Sequence, residues 1–285
     1  MPESQAFPLT VQAKGRGYPI LCLHGHPGSA QSMSVFTDHL SSADRPHQFR
    51  TLTPDLRGYG KSQTRQAFEM EDHLTDLEAL VDRLQLDQFI ILGWSLGGIL
   101  AIELALRMPD RVSGLILVAT AARPQGSHPP VNWQDNLYTG IASVLNLLKP
   151  AWQWNIDMFG KRSLYRYLVQ QHTTSVYQHL AKEGVSAYLQ TSQLAHKALW
   201  NAQAQRTRYD RLPDLALIKC PALMLAGESD RHITAQSSRE TAQHLHACEM
   251  RCYANTAHLF PWEISGKVLQ DIDRWLEKVG LTEKL

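Results

Sequence analysis

The chain has 285 residues, 44% of them hydrophobic and 19% charged, which supplies a large core and excludes a disordered chain. Its 28 basic residues nearly balance 27 acidic ones, so bulk charge predicts no general affinity for nucleic acid. The longest apolar runs, Ile90–Leu92 and Leu115–Ala119, are far too short to cross a bilayer, and no membrane partner is expected. Met1–Gln5 has neither a basic start nor an apolar stretch of signal type, so the sequence predicts a soluble cytoplasmic protein. Cys22, Cys220, Cys248 and Cys252 form no C-x-x-C pair and are expected to be reduced and buried.

In chain order, Leu9–Ala13 and Pro19–Leu23 read as strands flanking Gly15-Arg16-Gly17, which predicts a hairpin turn. Ser32–Leu40 predicts a short amphipathic helix, and Phe49–Thr53 a strand ending at Pro54-Asp55. Glu71–Leu84 sets Leu74, Leu77, Leu80, Val81 and Leu84 at helical spacing. Gln88–Leu92 is a buried strand, Ser95–Arg107 a helix and Val112–Ala119 another buried strand. The rhythm resumes with a strand at Ala222–Ala226, a helix at Ala235–Leu245, a strand at Glu249–Tyr253 and a last helix at Ile264–Val279. This β-α-β-α order predicts an α/β fold: a mostly parallel sheet with helices on both faces.

Residues 123–210 differ. They lack strand-like runs, read as several helices, and hold four of the seven Trp and six of the nine Tyr. Nine basic against four acidic residues give this segment a positive excess of five. It is expected to form a helical cap over a site on the core, which comprises residues 1–122 and 211–285. Lys and Arg on outer cap faces account for the excess most simply. The sharper expectation is that some of Arg123, Lys161, Arg162, Arg166, Arg206 and Arg208 face an anionic substrate or an acidic acyl-carrier protein.

The strongest chemical signal is Gly93-Trp94-Ser95-Leu96-Gly97-Gly98. It fits G-x-S-x-G, with a buried strand before it and an apolar helix after it, the setting of a nucleophile elbow. Small residues are needed because such a turn is tight, and the following helix aims its first amides at the reacting centre. A serine hydroxyl is a weak nucleophile and needs a base, with a carboxylate to orient that base. His258 follows one late strand and Asp230 the strand before it, so both stand at carboxyl ends of strands, where open α/β sheets bind ligands. Glu228 is a rival acid, better read as a turn residue. His232 is a rival base, awkwardly close in sequence to Asp230. After an early strand, Leu23-His24-Gly25-His26-Pro27-Gly28 is expected to complete an oxyanion site from the backbone N–H groups of His26 and Leu96, since Pro27 has none to donate. His24 then fixes the loop. A metal site at the two histidines lacks a third ligand at suitable spacing, so no metal is expected. Gly60-Lys61-Ser62 resembles the end of a P-loop, but the glycine required five positions earlier is Asp55. The stretch is better read as a tight turn pinned by Asp55 and Arg57.

Taken together, H-G-x-P at His24–Pro27, D-x-R-G-x-G-x-S at Asp55–Ser62, G-x-S-x-G-G at Gly93–Gly98, G-x-x-D at Gly227–Asp230 and the late His258 resemble the α/β-hydrolase superfamily across both core blocks. The resemblance implies that fold, a Ser95–His258–Asp230 triad, and an acyl-enzyme mechanism without cofactor acting on a small-molecule ester. Ser95 departs from relatives that hydrolyse haloalkanes or epoxides with an aspartate nucleophile. Trp94 and Leu96 depart from the Phe and Met of cofactor-free haloperoxidases. The elbow is similar to that of carboxylesterases of the pimeloyl-[acyl-carrier-protein] methyl ester esterase type. Carbon–carbon bond hydrolysis, lactonase or lyase activity, and ligand reception without catalysis use the same residues and stay open at this point.

Overall fold

The computed structural model describes residues 6–45, 47–204 and 209–280. Seven strands form one sheet: β1 (Val11–Lys14), β2 (Tyr18–Leu23), β3 (Phe49–Pro54), β4 (Phe89–Trp94), β5 (Val112–Val118), β6 (Ala222–Gly227) and β7 (Cys248–Tyr253). Their spatial order is β1-β3-β2-β4-β5-β6-β7. Only β1 runs antiparallel, against β3; every other pairing is parallel. All six residues of β4 and all six of β6 are buried. That is why these strands read as continuous apolar runs: both faces of a parallel sheet are covered.

Alternate residues feed two core layers, as the two-residue period of a strand requires. Leu21, Leu23 and Ile91 pack with α2 (Met70–Arg83) and α3 (Leu96–Arg107). Ile20, Cys22, Ile90 and Leu92 pack with α1 (Ser34–Leu40) and with Ile272 and Trp275 of a C-terminal helix. The α/β reading therefore holds.

One sequence expectation fails. Gly15-Arg16-Gly17 does not close a hairpin, because β3 lies between β1 and β2 and pairs with both. Gly15 sits at φ +71°, and a Cβ there would stand 2.4 Å from the Phe49 carbonyl of that intervening strand. The two glycines carry the chain past a neighbour and do not fold it back. Nor are all the thiols buried. Cys22 is, but Cys252 is exposed on β7, an edge strand with a neighbour on one side only.

Between β5 and β6 come α4 (Trp133–Leu148), α5 (Gln153–Met158), α6 (Tyr165–Leu168), α7 (Thr174–His179), α8 (Val185–Leu189) and α9 (Gln193–Ala204). A π turn, Leu180–Gly184, joins α7 to α8. After β6 follow α10 (Ala235–His244), α11 (Phe260–Glu263) and α12 (Ser265–Lys278). Among the described residues no helix is long and apolar enough to cross a membrane.

Strand order reverses between β2 and β4, since the chain leaves β2 for β3 on one side and returns to β4 on the other. The crevice at such a switch point, beyond the carboxyl ends of the strands, is where α/β sheets receive ligands. The loops beginning at His24 and Ser95 leave from those two ends. The turn after β3 is pinned as expected. Asp55 accepts the N–H groups of Ala30 (2.7 Å) and Lys61 (2.9 Å). Arg57 turns instead to α2, where its Nε lies 2.8 Å from Asp76, a fully buried carboxylate.

His73, also on α2, is buried with both ring nitrogens lacking a hydrogen-bond partner among the described residues. Burial pushes its pKa down to about 3, and the positive charge of Arg57 adds to the fall. The unfolded chain protonates such a ring near pH ~6.5. From there down to pH ~3 the unfolded state binds a proton that the folded state refuses, so stability falls as pH falls through this window and is unaffected above it. His73→Phe is expected to flatten the pH dependence of unfolding between pH 4 and 6.5 by up to about one proton. Urea melts across that range measure it, and an unchanged slope means that His73 takes up its proton in the folded protein.

Candidate active site

Ser95 occupies the one-residue corner between β4 and α3, at φ +54° and ψ −115°. A side chain in this left-handed region is strained, and such corners persist only where the surroundings over-determine them. Here close packing does so. A Cβ on Gly97 would lie 2.1 Å from the Leu23 carbonyl, and one on Gly93 2.3 Å from the Gly97 carbonyl. The glycines let α3 start directly against the end of β2, and the serine is left at the apex.

Three of the expected residues meet there. His258 Nε2 lies 3.1 Å from Ser95 Oγ, and His258 Nδ1 lies 2.8 Å from Asp230 Oδ2. All three side chains are buried. The second carboxylate oxygen of Asp230 accepts the backbone N–H groups of His232 (2.8 Å) and Ile233 (3.0 Å), which fixes the plane of the group. The rivals fall elsewhere. Glu228 is exposed and makes no contact with His258. The His232 ring meets His258 edge-on at 4.8 Å between centroids, and only the backbone N–H of His232 serves Asp230.

His24 is committed at both nitrogens, with Nδ1 2.8 Å from the Gly25 carbonyl and Nε2 accepting the Leu56 N–H at 3.1 Å. This sets a neutral tautomer that ties the loop to the turn after β3. Burial, the largest influence, lowers its pKa. The backbone N–H groups of His26 and Leu96 donate to no protein acceptor among the described residues. As the first residue of α3, Leu96 has no intrahelical partner to find.

Sequence reasoning missed several residues around this centre. Tyr59 holds His26 Nδ1 at 2.8 Å, and the His26 ring meets His196 edge-on at 4.8 Å. Burial brings the His26 pKa down to about 3, with His196, His24 and His232 reinforcing it. Burial likewise brings His232 to about 4. The surface that His232 exposes faces a cavity, so it is accessible yet deep within the protein. Glu263 accepts the N–H groups of Ala257 (3.0 Å) and Gln171 (2.7 Å), joining the His258 loop to the helical segment, and burial raises its pKa. A capping carboxylate just after a histidine loop was the only available signal for it.

Ser95, His26, His232 and His258 line one cavity of about 2050 Å³ between the strand ends and the helices of residues 133–204. Of the basic residues singled out in that region, Arg123 pairs with Asp210 and Glu240, Lys161 with Asp157, and Arg166 with Asp135. Arg162 is exposed and makes no ion pair among the described residues. Arg206 and Arg208 lie outside the described residues.

The fold and this corner define a hydrolase-type α/β protein, and the comparisons agree. Residues 18–263 match the alpha/beta hydrolase fold family, and the chain belongs to it. It is 26% identical over 251 residues to the AB hydrolase superfamily protein YisY of Bacillus subtilis, covering 88% of each chain. It is 28% identical over 211 residues to the pimeloyl-[acyl-carrier protein] methyl ester esterase of Hamiltonella defensa, covering 73% of each. Among solved structures it resembles a malate-bound thermophilic esterase from Thermogutta terrifontis, with a TM-score of 0.68 and 25% identity over 95% of this chain and 93% of that one.

If the His26 backbone and not its ring serves an oxyanion, His26→Ala should keep kcat within about tenfold of the parent, whereas losing a true donor costs on the order of 10²–10³. Steady-state kinetics on an ester substrate decide. A loss of that larger size with an unchanged circular dichroism spectrum assigns chemistry to the imidazole.

Proposed function

We propose that the protein is a serine hydrolase that cleaves a carboxylic ester through an acyl-enzyme. The hydrogen-bonded chain from Ser95 Oγ through His258 to Asp230 carries this reading, at 3.1 and 2.8 Å. His258 Nε2 takes the Ser95 proton as Oγ attacks the ester carbonyl. Asp230, itself held by two backbone N–H groups, orients His258 Nδ1–H and stabilises the imidazolium. The oxyanion forms against the amides of His26 and Leu96 at the N-terminus of α3, where the helix dipole also favours negative charge. His258 returns the proton to the leaving alcohol. Water, deprotonated by the same ring, then releases the acid and restores Ser95. Every proton and charge in this sequence has a protein group to receive it, so the chemistry calls for no metal or cofactor.

An ester is preferred to the other bonds open to such a centre because the relatives named above include a methyl ester esterase and a thermophilic esterase. The helices of residues 133–204 would serve as a cap that closes the reacting bond away from bulk water. An acidic carrier protein as partner rests on fewer cations than the sequence suggests, since Arg123, Lys161 and Arg166 are already ion-paired.

A fluorophosphonate probe is expected to label Ser95 stoichiometrically, and Ser95→Ala to abolish both labelling and turnover. Asp230→Asn should lower kcat by up to about 10⁴, because the histidine loses the partner that sets its tautomer. Glu228→Gln should be mild. Mass spectrometry of the labelled protein and kinetics on a panel of chromogenic esters supply the readout. Full turnover in Ser95→Ala, or the reverse order of the two carboxylate variants, removes this mechanism.

A further inference from the structure

Helix α4 buries two polar side chains and leaves several large apolar ones exposed. The side chains it buries are Asp135, Ala142 and Asn146. Several of its large apolar residues are exposed: Trp133 is 71% exposed, Val144 57% and Leu148 78%. A helix of a water-soluble domain ordinarily turns its apolar stripe to the core. Three more large side chains, Tyr188 and Leu189 of α8 and Trp200 of α9, are also more than half exposed.

Part of this exposed apolar surface belongs to one cavity. Val144, Leu147, Tyr188, Leu189 and Trp200 all line the cavity that contains Ser95 and His258. The apolar surface is thus continuous with the candidate nucleophile, and it marks where the cavity reaches solvent. At about 2050 Å³ the cavity also exceeds the roughly 300–1,000 Å³ usual for small-ligand sites, so a short ester would leave most of it unfilled. A contiguous exposed apolar surface of this kind signals an apolar occupant.

Charge narrows the occupant further. Apart from Lys197, the charged side chains on the cavity wall are already paired, Arg211 with Glu103 at 2.7 Å, Arg123 with Asp210 at 3.3 Å and Glu71 with Arg107. Neither cation is left to hold a carboxylate at the end of a chain. Lys197 on α9 is the one cavity-lining cation without an ion pair among the described residues, and it makes the choice between a neutral and a charged chain testable.

We propose that the α4–α8–α9 wall binds a long, uncharged hydrocarbon chain, so that the preferred substrate is a lipid-like ester whose acyl chain lies along Val144, Leu147, Tyr188, Leu189 and Trp200 while its carbonyl reaches Ser95. This rests on the ester-hydrolase reading for the reaction, but the wall can be tested without it.

Two measurements separate the questions. The first is kcat/KM for monodisperse 4-nitrophenyl butyrate, octanoate and dodecanoate. Full burial of each methylene is worth about fourfold, and a partly open wall realises a fraction of that, so dodecanoate is expected to exceed butyrate by on the order of tenfold or more. Leu147→Asp and Leu189→Asp replace exposed side chains and should each lower the dodecanoate-to-butyrate ratio by about tenfold. A matched dodecanoyl ester with a terminal carboxylate should be the poorer substrate. The second measurement is binding of dodecan-1-ol to Ser95→Ala by tryptophan fluorescence, expected to saturate and to weaken with Leu147→Asp.

If butyrate is cleaved, activity falls with chain length and dodecan-1-ol does not bind, the chain site is wrong and the esterase reading stands. If dodecan-1-ol binds in a Leu147-dependent way and no ester is cleaved, the esterase reading is wrong and the chain site stands. A preference for the carboxylated ester that Lys197→Ala abolishes overturns the uncharged chain. A dimer that Leu147→Asp dissociates, seen by light scattering, makes the wall an interface between copies and overturns the proposal.

Discussion

The backbone of the first turn of α3 presses against the end of β2 with no room for a side chain between them, and the position of Ser95 follows from that contact. Gly97 meets the Leu23 carbonyl and Gly93 meets Gly97, so strand, corner and helix must change direction within a single residue. That residue takes the left-handed conformation, and an L side chain there is tolerable only because the surrounding sheet allows no alternative. The same contact brings the loop after β2 beside the corner, so that His26 and Leu96 both border the cavity at Ser95. A strand buried on both faces is what makes the corner rigid: β4 lies between β2 and β5, and all of its residues are buried.

Legibility in the sequence followed the range of the interaction. The elbow, the pinned turn at Asp55 and the alternating elements are local, and each could be read from a short stretch. Ser95, His258 and Asp230 could be named because each stands at a strand end, although contact between residues 163 and 28 positions apart is visible only in the structure. The error at Gly15–Gly17 was one of partner. A turn between two strands looks the same whether they pair or a third strand slips between them. Tyr59 and His196 were invisible for a related reason: Tyr59 fills an unspecified position of the Asp55–Ser62 motif, His196 belongs to none, and they reach His26 from distant segments. Periodicity also has no sign. It shows that α4 has two faces and leaves open which one is inside.

The histidines near Ser95, and His73 on α2, follow one rule in different degrees. His24, His26, His73 and His232 are all held toward the neutral form, and burial is the largest cause for each. A cationic imidazole beside the corner would compete for Asp230 and weaken its hold on His258. Keeping the neighbours neutral leaves the carboxylate to one ring, and the cost falls on stability in acid and not on the site at neutral pH.

The exposed apolar residues of α4 have a structural counterpart in how the helical segment coheres. Its buried interior, which includes Ile156, Tyr165, Val169, Val176, Tyr177 and Leu180, is reinforced by directional polar contacts. Asn146 donates to the Tyr177 carbonyl at 2.7 Å and accepts the Ala151 N–H at 2.8 Å, Asn155 donates to the Ala142 carbonyl at 2.9 Å, and Asp135 receives Arg166 at 2.6 Å. The segment is tied to the core in the same manner, through the Leu259 N–H to the Leu168 carbonyl at 2.8 Å, Glu263 to the Gln171 N–H, and Ser34 to Glu183 at 2.9 Å. Hydrogen bonds fix geometry without consuming apolar surface. A layer held in part by them can leave Leu147, Leu189 and Trp200 at the cavity and still keep one shape.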